Sequence, residues 1–532
     1  MPVQKKYIPL LLGVAVAFGI FLGARLNFTT VSDTLFSSNS KKEKLNRLID
    51  FIDFEYVDKV NTDSIVDITV NSILENLDPH SVYIPSKSYE DAASDMRGNF
   101  IGIGISFYQH QDSIAVIRTI EGGPAQKAGI QAGDRILYAD TIPLFGKGLN
   151  RYDVVSKLKG ARNSKVSLKI KRKNQDSLLS ITVTRQKIPL VSLDAAYLLT
   201  GAIGYIKLNR FAEPTYNEFK KALTALIDKG ATKLVLDLRD NPGGYISSAQ
   251  AIVDEFLQDN TLILITKNKN GKQEKTYATN KGSFKTGSLY VLINENSASA
   301  SEIVAGALQD NDKGVIIGRR SFGKGLVQRE RALGDGSAVR LTIARYYTPT
   351  GRSIQKPYDK GNDAYYSEYE SRYVNGELQS LDSIVVNDSL RFVTPKGKVV
   401  YGGGGIIPDV FVGKDNSQEY QAISYISNNG FMSYFAFEYL DTHRQDFKGQ
   451  TQKDFIDNYT VSKATLQAFL SYANITQLDT FKGYTPRLKL VIKATLARQL
   501  FGTQAFEMIL NQQDPMIKKV LDLQQRLPVT VQ

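Results

Sequence analysis

The most informative stretch of this chain reads Leu289-Tyr290-Val291-Leu292-Ile293-Asn294-Glu295-Asn296-Ser297-Ala298-Ser299-Ala300-Ser301-Glu302. Its first five residues are apolar and β-branched or aromatic for the most part, which is typical of a buried strand. The residues from Ala300 onward favour a helix. Ser299 is therefore predicted to lie at a strand-to-helix corner, where its hydroxyl is a candidate nucleophile.

A lysine framed by glycines follows 25 residues after Ser299, within Phe322-Gly323-Lys324-Gly325. A serine hydroxyl needs a base to take its proton, and a lysine amine is a base only when it is neutral. Burial among apolar residues lowers the pKa of a lysine from about 10.4 by up to about 3–5 units. Phe322, Leu326 and the strand at 315–317 are expected to exclude water from Lys324, which predicts a serine–lysine pair.

Gln328 is the predicted orienting partner of Lys324. A neutral amide accepts a hydrogen bond from the amine, whereas a carboxylate would hold the proton on it. Side chains alternate along a strand, so two residues four apart point the same way. An oxyanion hole would use the amide of Ala300, at a helix N-terminus, and that of Gly244, in the turn at 240–244. Both turns follow core strands, and sites in open α/β sheets gather at the carboxyl ends of strands.

Each motif alone has a plainer interpretation. Ser299 stands three residues before Glu302, which is the spacing of a helix capping box. Lys324 between glycines is compatible with a solvated loop. The segment from Gly318 to Lys324 also matches most of a phosphate-binding loop, but Gly325 stands where that motif needs a Ser or Thr for magnesium.

Composition restricts the chemistry. A chain of 532 residues is too long for one core, so about two to four domains are expected. It has no cysteine, which excludes thiol catalysis and disulfides, and its three histidines, His80, His110 and His443, form no compact metal motif. We therefore expect no metal, no cofactor and no Ser-His-Asp triad. The net charge of +12 is interpreted as a solvated surface, since no nucleic-acid-binding signature accompanies it.

The amino terminus resembles a membrane anchor. Basic residues flank an uncharged, mostly apolar run at 7–24. About twenty helical residues cross a bilayer, and lysines before such a run favour a cytoplasmic N-terminus. We predict a transmembrane anchor at 1–26 and a polar tether at 27–43. The alternative is a cleaved signal peptide, although its candidate site, Ala15-Val16-Ala17, lies inside the apolar run.

Residues 44–96 are predicted to be helical, and residues 97–187 to form a compact β-rich domain. In the latter, glycines alternate with apolar residues from Phe100 to Phe107, and Gly122-Gly123-Pro124-Ala125 opens a short helix. This pattern resembles a bacterial PDZ domain, whose glycine loop would bind a peptide carboxylate and whose next strand would accept the peptide as an added strand. The loop amides in question are those of Gly102, Ile103, Gly104 and Ile105. A plain β-hairpin with turning glycines is the alternative.

The rest of the chain divides into two parts. Strands alternate with helices from 188 to 415, which predicts an α/β layered core, with a polar insertion at 357–400. Helical spacing dominates 416–532, where we predict an accessory domain and find no motif for chemistry.

Together these motifs resemble the C-terminal processing peptidases, or tail-specific proteases, which are serine–lysine endopeptidases of the bacterial envelope and plastids. The resemblance covers roughly residues 44–412. Its motifs are Leu77 to Ser81, the PDZ-like domain, Asp237 to Gly244, Ser297 to Asp310, Phe322 to Gln328, Ala344 to Gln355, and Gly404, Ile406, Pro408 and Asp409. The implied fold is an α/β protease core with an inserted β-rich PDZ-like domain, an N-terminal helical region and a C-terminal helical accessory domain.

The resemblance implies a role for each site residue. Ser299 would be the nucleophile, Lys324 the general base and Gln328 the orienting residue, and Gly244 and Ala300 would form the oxyanion hole. The insertion and the helical tail depart from the family pattern, so no role is carried over to them. His80 would be structural.

The implied function is a membrane-anchored serine endopeptidase that binds and cleaves the C-terminal tails of exported proteins. Its catalytic region would lie in the periplasm or outside the cell, and a homo-oligomer or an adaptor protein would be compatible with this function. Two other classes are weighed against it. One is a peptide-binding scaffold with an inactive protease core, which the complete set of Ser299, Lys324 and Gln328 disfavours. The other is an exported lipid- or glycan-binding protein, for which the sequence holds no motif.

Overall fold

The computed structural model describes residues 13–14, 16–18, 40–110, 113–146, 150–173, 175–475 and 483–526. Most of the predicted anchor at 1–26 and most of the tether at 27–43 lie outside these ranges. Within them, no helix has both the length and the apolar character that crossing a bilayer requires. The chain divides into two compact units, residues 1–73 and 74–532.

The N-terminal region is helical, as predicted. Helix α1 spans Ser40–Glu55 and α2 spans Thr62–Glu75, so that α1 begins inside the segment predicted as tether. Proline cannot continue a helix, and α2 ends before Asp78-Pro79. A short strand β1 (Val82–Ile84) and helix α3 (Ser86–Arg97) follow.

The PDZ-like domain is a small twisted sheet with two short helices. Its elements are β2 (Asn99–Gly102), β3 (Ile105–His110), β4 (Ser113–Thr119), α4 (Pro124–Lys127), β5 (Arg135–Ala139), β6 (Ile142–Pro143), α5 (Arg151–Leu158), β7 (Lys165–Lys171), β8 (Leu179–Thr184) and β9 (Gln186–Pro189). The strand order is β3-β4-β5-β7-β8, with β6 on β5, while β2 pairs with β9. Among the described residues, β3 pairs with β4 alone and is therefore an edge strand.

The predicted α/β core at 188–415 is built around a six-stranded sheet. Its elements are β10 (Leu193–Thr200), β11 (Ile203–Leu208), α6 (Thr215–Asp228), β12 (Lys233–Asp237), α7 (Ile246–Asp254), β15 (Ser288–Ile293), α8 (Ala300–Asp310), β16 (Val315–Gly318) and β21 (Val410–Phe411). The order is β10-β11-β12-β15-β16-β21, and every strand except β10 runs parallel to its neighbour.

Side chains point alternately to the two faces of the sheet along the central strands, and each face packs into its own buried cluster. Leu234 and Leu236 face the cluster that contains α6, α7 and α8, whereas Val235 faces the cluster on the opposite side. Because both faces of the sheet are buried here, the sequences of β12 and β15 are nearly continuous apolar runs.

A second sheet brings distant segments beside the core. Its strands are β13 (Leu262–Asn268), β14 (Gln273–Tyr277), β17 (Leu326–Ala332) and β18 (Ala338–Tyr347), together with β1. The order is β1-β18-β13-β14, and β17 also pairs with β18. The pairing of β1 with β18 places the loop at 78–81 beside β18, where Thr342 bonds to Ser81 and Asp78, and β17 pairs with β18 in turn.

The predicted insertion at 357–400 contains regular structure. Helix α9 spans Asn362–Val374, and a hairpin joins β19 (Arg391–Val393) to β20 (Val399–Tyr401).

The region after 415 is helical, as predicted. Its helices are α10 (Gln418–Asn428), α11 (Phe431–His443), α12 (Gln452–Asn458), α13 (Lys463–Tyr472), α14 (Thr485–Phe501), α15 (Thr503–Leu510) and α16 (Pro515–Arg526). This region contacts two other domains. Phe437 of α11 packs edge-on against Tyr108 of the PDZ-like domain, with ring centroids 4.7 Å apart, and Met516 and Ile517 of α16 join the core-sheet cluster.

Candidate active site

Ser299 occupies a strained corner between β15 and α8. Its backbone has φ 55° and ψ −111°, a conformation that non-glycine residues rarely adopt and that costs about 1–3 kcal/mol. An ordinary N-cap residue lies in the extended region. Glu302 does accept from the Ser299 N–H at 2.8 Å, as in a capping box. Capping therefore occurs here, but it does not by itself account for the strained geometry of Ser299.

The glycine turn predicted for the oxyanion hole packs directly on Ser299. Gly243 has φ 101°, and a Cβ there would lie 2.8 Å from Ser299 Cβ and 2.9 Å from the nitrogen of Ala300. Asn241 holds the turn in place, because its Nδ2 donates to Leu208 O at 2.9 Å. This close approach can be made only by a glycine.

Two amides near this contact remain free. In the described part of the chain, the N–H groups of Gly244 and Ala300 donate to no protein acceptor. They belong to the turn and to the helix start that flank Ser299. These are the two groups that the sequence predicts for an oxyanion hole, and both remain available to a ligand.

Lys324 lies in a loop just before β17, largely enclosed by its surroundings. Burial and, to a smaller extent, the positive charge of Arg340 lower its pKa to about 8, whereas the charges of Glu302 and Asp78 oppose the shift. A lysine with this pKa is about one-tenth neutral at pH 7. The amine is therefore suited to accept a proton near neutral pH.

A buried carboxylate joins the two predicted catalytic residues through their backbones. Glu302 is 0% exposed. Its Oε2 accepts from the N–H groups of Ser299 and Lys324 at 2.8 and 2.9 Å. Its Oε1 accepts from Ser321 Oγ at 2.6 Å and from the N–H of Gly323 at 2.7 Å. Burial raises the pKa of Glu302, and the four donors counteract this rise.

A tyrosine hydroxyl makes a second link between the same residues. Tyr346 Oη lies 2.6 Å from the carbonyl oxygen of Lys324 and 3.2 Å from that of Ser299. The backbones of the two residues are thus fixed relative to each other. In the described residues, however, no hydrogen bond joins the Ser299 hydroxyl to the Lys324 amine.

The structure does not place Gln328 as the sequence argument assumed. Lys324 precedes the strand, which begins at Leu326, and the register shifts between Val327 and Gln328, so alternation along a strand does not relate the two side chains. Gln328 Nε2 donates instead to Thr342 Oγ1 at 3.2 Å. The orienting role of Gln328 stays a prediction.

His80 lies near Lys324 and is held neutral. Its Nε2 is 2.8 Å from Tyr365 Oη. Burial, together with the charge of Lys324, lowers the pKa of His80 to about 4. A histidine with this pKa is a poor base near pH 7, which agrees with a structural role.

The predicted carboxylate-binding loop lies between β2 and the edge strand β3. Gly104 has φ 78°, and the carbonyl groups of Ile103 and Gly104 accept from Ala125 and Ile120. Within the described residues, the N–H groups of Ile103 and Gly104 donate to no protein acceptor. Gly102 pairs with Gln186 between β2 and β9, and Ile105 begins β3.

Comparison with known proteins identifies the family. Residues 202–361 match peptidase family S41, and residues 102–183 match the PDZ domain family. A carboxy-terminal-processing protease of Bartonella bacilliformis is 36% identical over 344 residues, which cover 63% of this chain and 78% of that protein. The chain belongs to the family of carboxy-terminal-processing serine proteases. This confirms the resemblance, the enzyme class and the fold class that the sequence predicts.

Two further similarities have partial coverage. The carboxy-terminal processing protease CtpB of Bacillus subtilis is 33% identical over 317 residues, which cover 59% of this chain and 65% of that protein. The solved photosystem II D1 C-terminal processing protease is 30% identical, with a TM-score of 0.34, and the match covers 59% of this chain and 83% of that one. Residues 422–502 match a family of unknown function (DUF8443).

Sequence reasoning missed several groups that shape the site of this carboxy-terminal-processing protease. The sequence pattern indicated Glu302 only as part of a helix cap, although its spacing from Ser299 already predicted the hydrogen bond between them. Tyr346 lies inside a motif that the family resemblance used, but no pattern pointed to its hydroxyl. No sequence pattern pointed to Arg340, because its effect on Lys324 depends on the pairing of β18 with β17.

Proposed function

We propose that this protein is a membrane-anchored serine endopeptidase of the bacterial cell envelope that cleaves the C-terminal tails of exported proteins. Ser299 forms the acyl-enzyme and Lys324 is the general base. The observation that carries this proposal is the link through Glu302 between the backbones of a strained serine and an enclosed lysine with a pKa of about 8.

The reaction proceeds in two halves. The neutral Nζ of Lys324 accepts the proton of Ser299 Oγ as this oxygen bonds to the scissile carbonyl carbon. The N–H groups of Gly244 and Ala300 stabilise the negative oxygen that forms. The C–N bond then breaks, and the Lys324 ammonium protonates the leaving amine. Water attacks the remaining ester with Lys324 again as base, which releases the second product and restores the Ser299 hydroxyl.

Gln328 is assigned to orient Lys324 during these steps. Its amide nitrogen already donates to Thr342, which leaves the amide oxygen as the acceptor for the lysine amine. A neutral acceptor at this position leaves the pKa of Lys324 low, as general-base catalysis requires.

The PDZ domain is proposed to select substrates by their C-termini. The free N–H groups of Ile103 and Gly104 would bind the terminal carboxylate, in a loop formed by Gly102, Ile103, Gly104 and Ile105. The open edge of β3 would pair with the last residues of the substrate. A peptide with a free C-terminus should therefore have a lower KM than the same peptide with an amidated C-terminus.

The cellular location is proposed from sequence alone. The apolar run at 7–24 with lysines before it favours an inner-membrane anchor and an exported catalytic region. Extraction of cell membranes with alkaline carbonate should leave the full chain in the pellet and release a variant that lacks residues 1–26. Release of both forms would contradict anchoring but would not affect the catalytic assignment.

Cleavage of fluorescently labelled β-casein, an unfolded protein, tests the catalytic assignment. Ser299→Ala and Lys324→Ala should each lower kcat by at least about 10³-fold, because nucleophile and base act as a unit. The exposed residues Ser247 and Lys269 provide controls, and Ser247→Ala and Lys269→Ala should retain wild-type rates. Wild-type activity in Ser299→Ala or Lys324→Ala would refute the mechanism, and peptide binding without turnover by the wild type would favour a binding scaffold.

A further inference from the structure

The loop that carries Lys324 is bound from two sides. We call residues 321–324 the lysine loop. Its N–H groups at Gly323 and Lys324 donate to Glu302. Its carbonyl groups at Ser321 and Phe322 instead accept from Arg372, at 2.8 and 3.1 Å. Arg372 belongs to helix α9 of the insertion at 357–400.

Arg372 is well suited to hold two carbonyl oxygens in fixed positions. Its side chain is 1% exposed, and its Nε donates to Glu368 Oε1 at 3.0 Å, which sets the plane of the guanidinium. The fork of donors on a guanidinium is rigid, whereas a lysine amine is a single flexible point charge. The two carbonyls immediately precede Gly323, where the loop turns with φ 96°.

Helix α9 is itself anchored beside the other loops of the site. Tyr366 Oη donates to Pro79 O at 3.1 Å, and Tyr369 Oη donates to Asn296 Oδ1 in the segment before Ser299. Lys356 Nζ donates to Tyr365 O at 2.8 Å and to Glu368 Oε2 at 2.9 Å.

Lys356 also connects α9 to the lysine loop. Lys356 Nζ lies 4.5 Å from the centroid of the Phe322 ring and 4.1 Å from that of Tyr365. Phe322 in turn contacts the rings of Tyr365 and Tyr369. Helix α9 therefore packs against Phe322, which lies two positions before Lys324.

We propose that Arg372 is a positioning residue for Lys324, and that the inserted helix α9 belongs to the catalytic apparatus. Arg372 fixes the carbonyl groups of the lysine loop while Glu302 fixes its N–H groups, so the loop presents the amine to Ser299 in one arrangement. This inference rests on the proposed role of Lys324 as general base. It gives a function to an insertion that departs from the family pattern.

The test compares steady-state cleavage of labelled β-casein by the full chain and its variants. Arg372→Ala should lower kcat by about 10–100-fold, as a displacement of about 1 Å can do, and should leave KM within about twofold. Guanidinium chloride at millimolar concentration should restore part of the kcat of Arg372→Ala and leave the wild type unchanged. Arg391→Ala is the matched control, because Arg391 is an exposed arginine of the same insertion, and it should behave as the wild type.

Arg372→Lys is the milder variant if Arg372→Ala does not fold. One ammonium group cannot reproduce the fork, so kcat should still fall by about tenfold or more. Wild-type kcat in either folded variant, or a loss confined to KM, overturns the inference. If Lys324→Ala retains activity, the proposed function fails. If Lys324→Ala is inactive while Arg372→Lys is fully active, only the role of Arg372 fails.

Discussion

The backbone N–H groups of Ser299 and Lys324 donate to one and the same oxygen, Oε2 of Glu302, at 2.8 and 2.9 Å. Two residues that are 25 positions apart in sequence are thereby fixed relative to each other by a third residue that is completely buried. The shared acceptor therefore sets the backbone from which both side chains project.

Glu302→Gln should impair both activity and stability. Each carboxylate oxygen accepts two hydrogen bonds, so replacing either by an NH₂ group leaves two buried donors without an acceptor. The expected loss of stability is about 1–3 kcal/mol for each unsatisfied group, measured by chemical unfolding. The expected loss in kcat is about tenfold or more. The exposed Glu370 offers a control, Glu370→Gln, which should change neither quantity.

The pH profile of kcat/KM should report the pKa of Lys324. The base is active when neutral, so kcat/KM should rise about tenfold per pH unit below pH 8 and level off above it. A profile governed by a midpoint near the ordinary lysine pKa of about 10.4 would show that the amine is not enclosed in the working enzyme.

Lys324→Met should stabilise the protein below pH 8. The pKa of Lys324 is lower in the folded chain than in the unfolded chain, so the unfolded chain binds more protons between the two values. The wild type should therefore gain stability as pH rises from about 8 to about 10, and the advantage of Lys324→Met should shrink over that range. Thermal melting at several pH values measures both trends. If the stability advantage of Lys324→Met does not vary with pH, the substitution acts through packing and not through the charge of Lys324.

Arg340→Gln should move the activity profile to higher pH. The positive charge of Arg340 lowers the pKa of Lys324, so its removal raises that pKa. The displacement should be smaller at high ionic strength, because salt screens the interaction. Arg331 is an exposed arginine on the neighbouring strand, and Arg331→Gln serves as control. Identical profiles for the two variants would contradict an electrostatic effect specific to Arg340.

Gly243→Ala should abolish most activity for a steric reason. A methyl group there would lie 2.7–2.9 Å from Ala298 O, Ser299 Cβ and Ala300 N, so the turn must move away from the serine. Gly230 has a similar φ of 90° but open space around it, so Gly230→Ala carries the backbone strain without the clash. Gly230→Ala should lower only the melting temperature. Equal kinetic effects of the two substitutions would exclude the steric explanation.

Phe437→Ala should loosen the contact between the helical region and the PDZ domain. Phe437 is 1% exposed and packs on Tyr108, and truncating a buried phenylalanine to alanine typically costs about 3–5 kcal/mol. Limited proteolysis should then cut the chain faster in the segments that join the PDZ domain to the core, near residues 97–99 and 187–193. Phe431 begins the same helix and is 36% exposed, so Phe431→Ala should leave the digestion pattern unchanged.

The sequence alone determined the features that depend on short stretches of chain. The apolar run at 289–293 specified a buried strand, and the spacing of Ser299 and Glu302 specified the start of the helix. Glycines marked the turns at 240–244 and 102–105. Local propensity and the period of the hydrophobic pattern act over a few residues, so they can be read without knowing the fold.

The way in which these pieces act together depends on contacts between segments that are distant in sequence. The pKa of Lys324 depends on burial and on the charge of Arg340, which belongs to another strand. The side chains of Lys324 and Gln328 are not related by alternation along one strand, because the strand begins after Lys324 and contains a bulge. The contact of Arg372 with the lysine loop joins residues about 50 positions apart. Desolvation and long-range hydrogen bonds depend on which segments fold against each other, and no local pattern in the sequence encodes that.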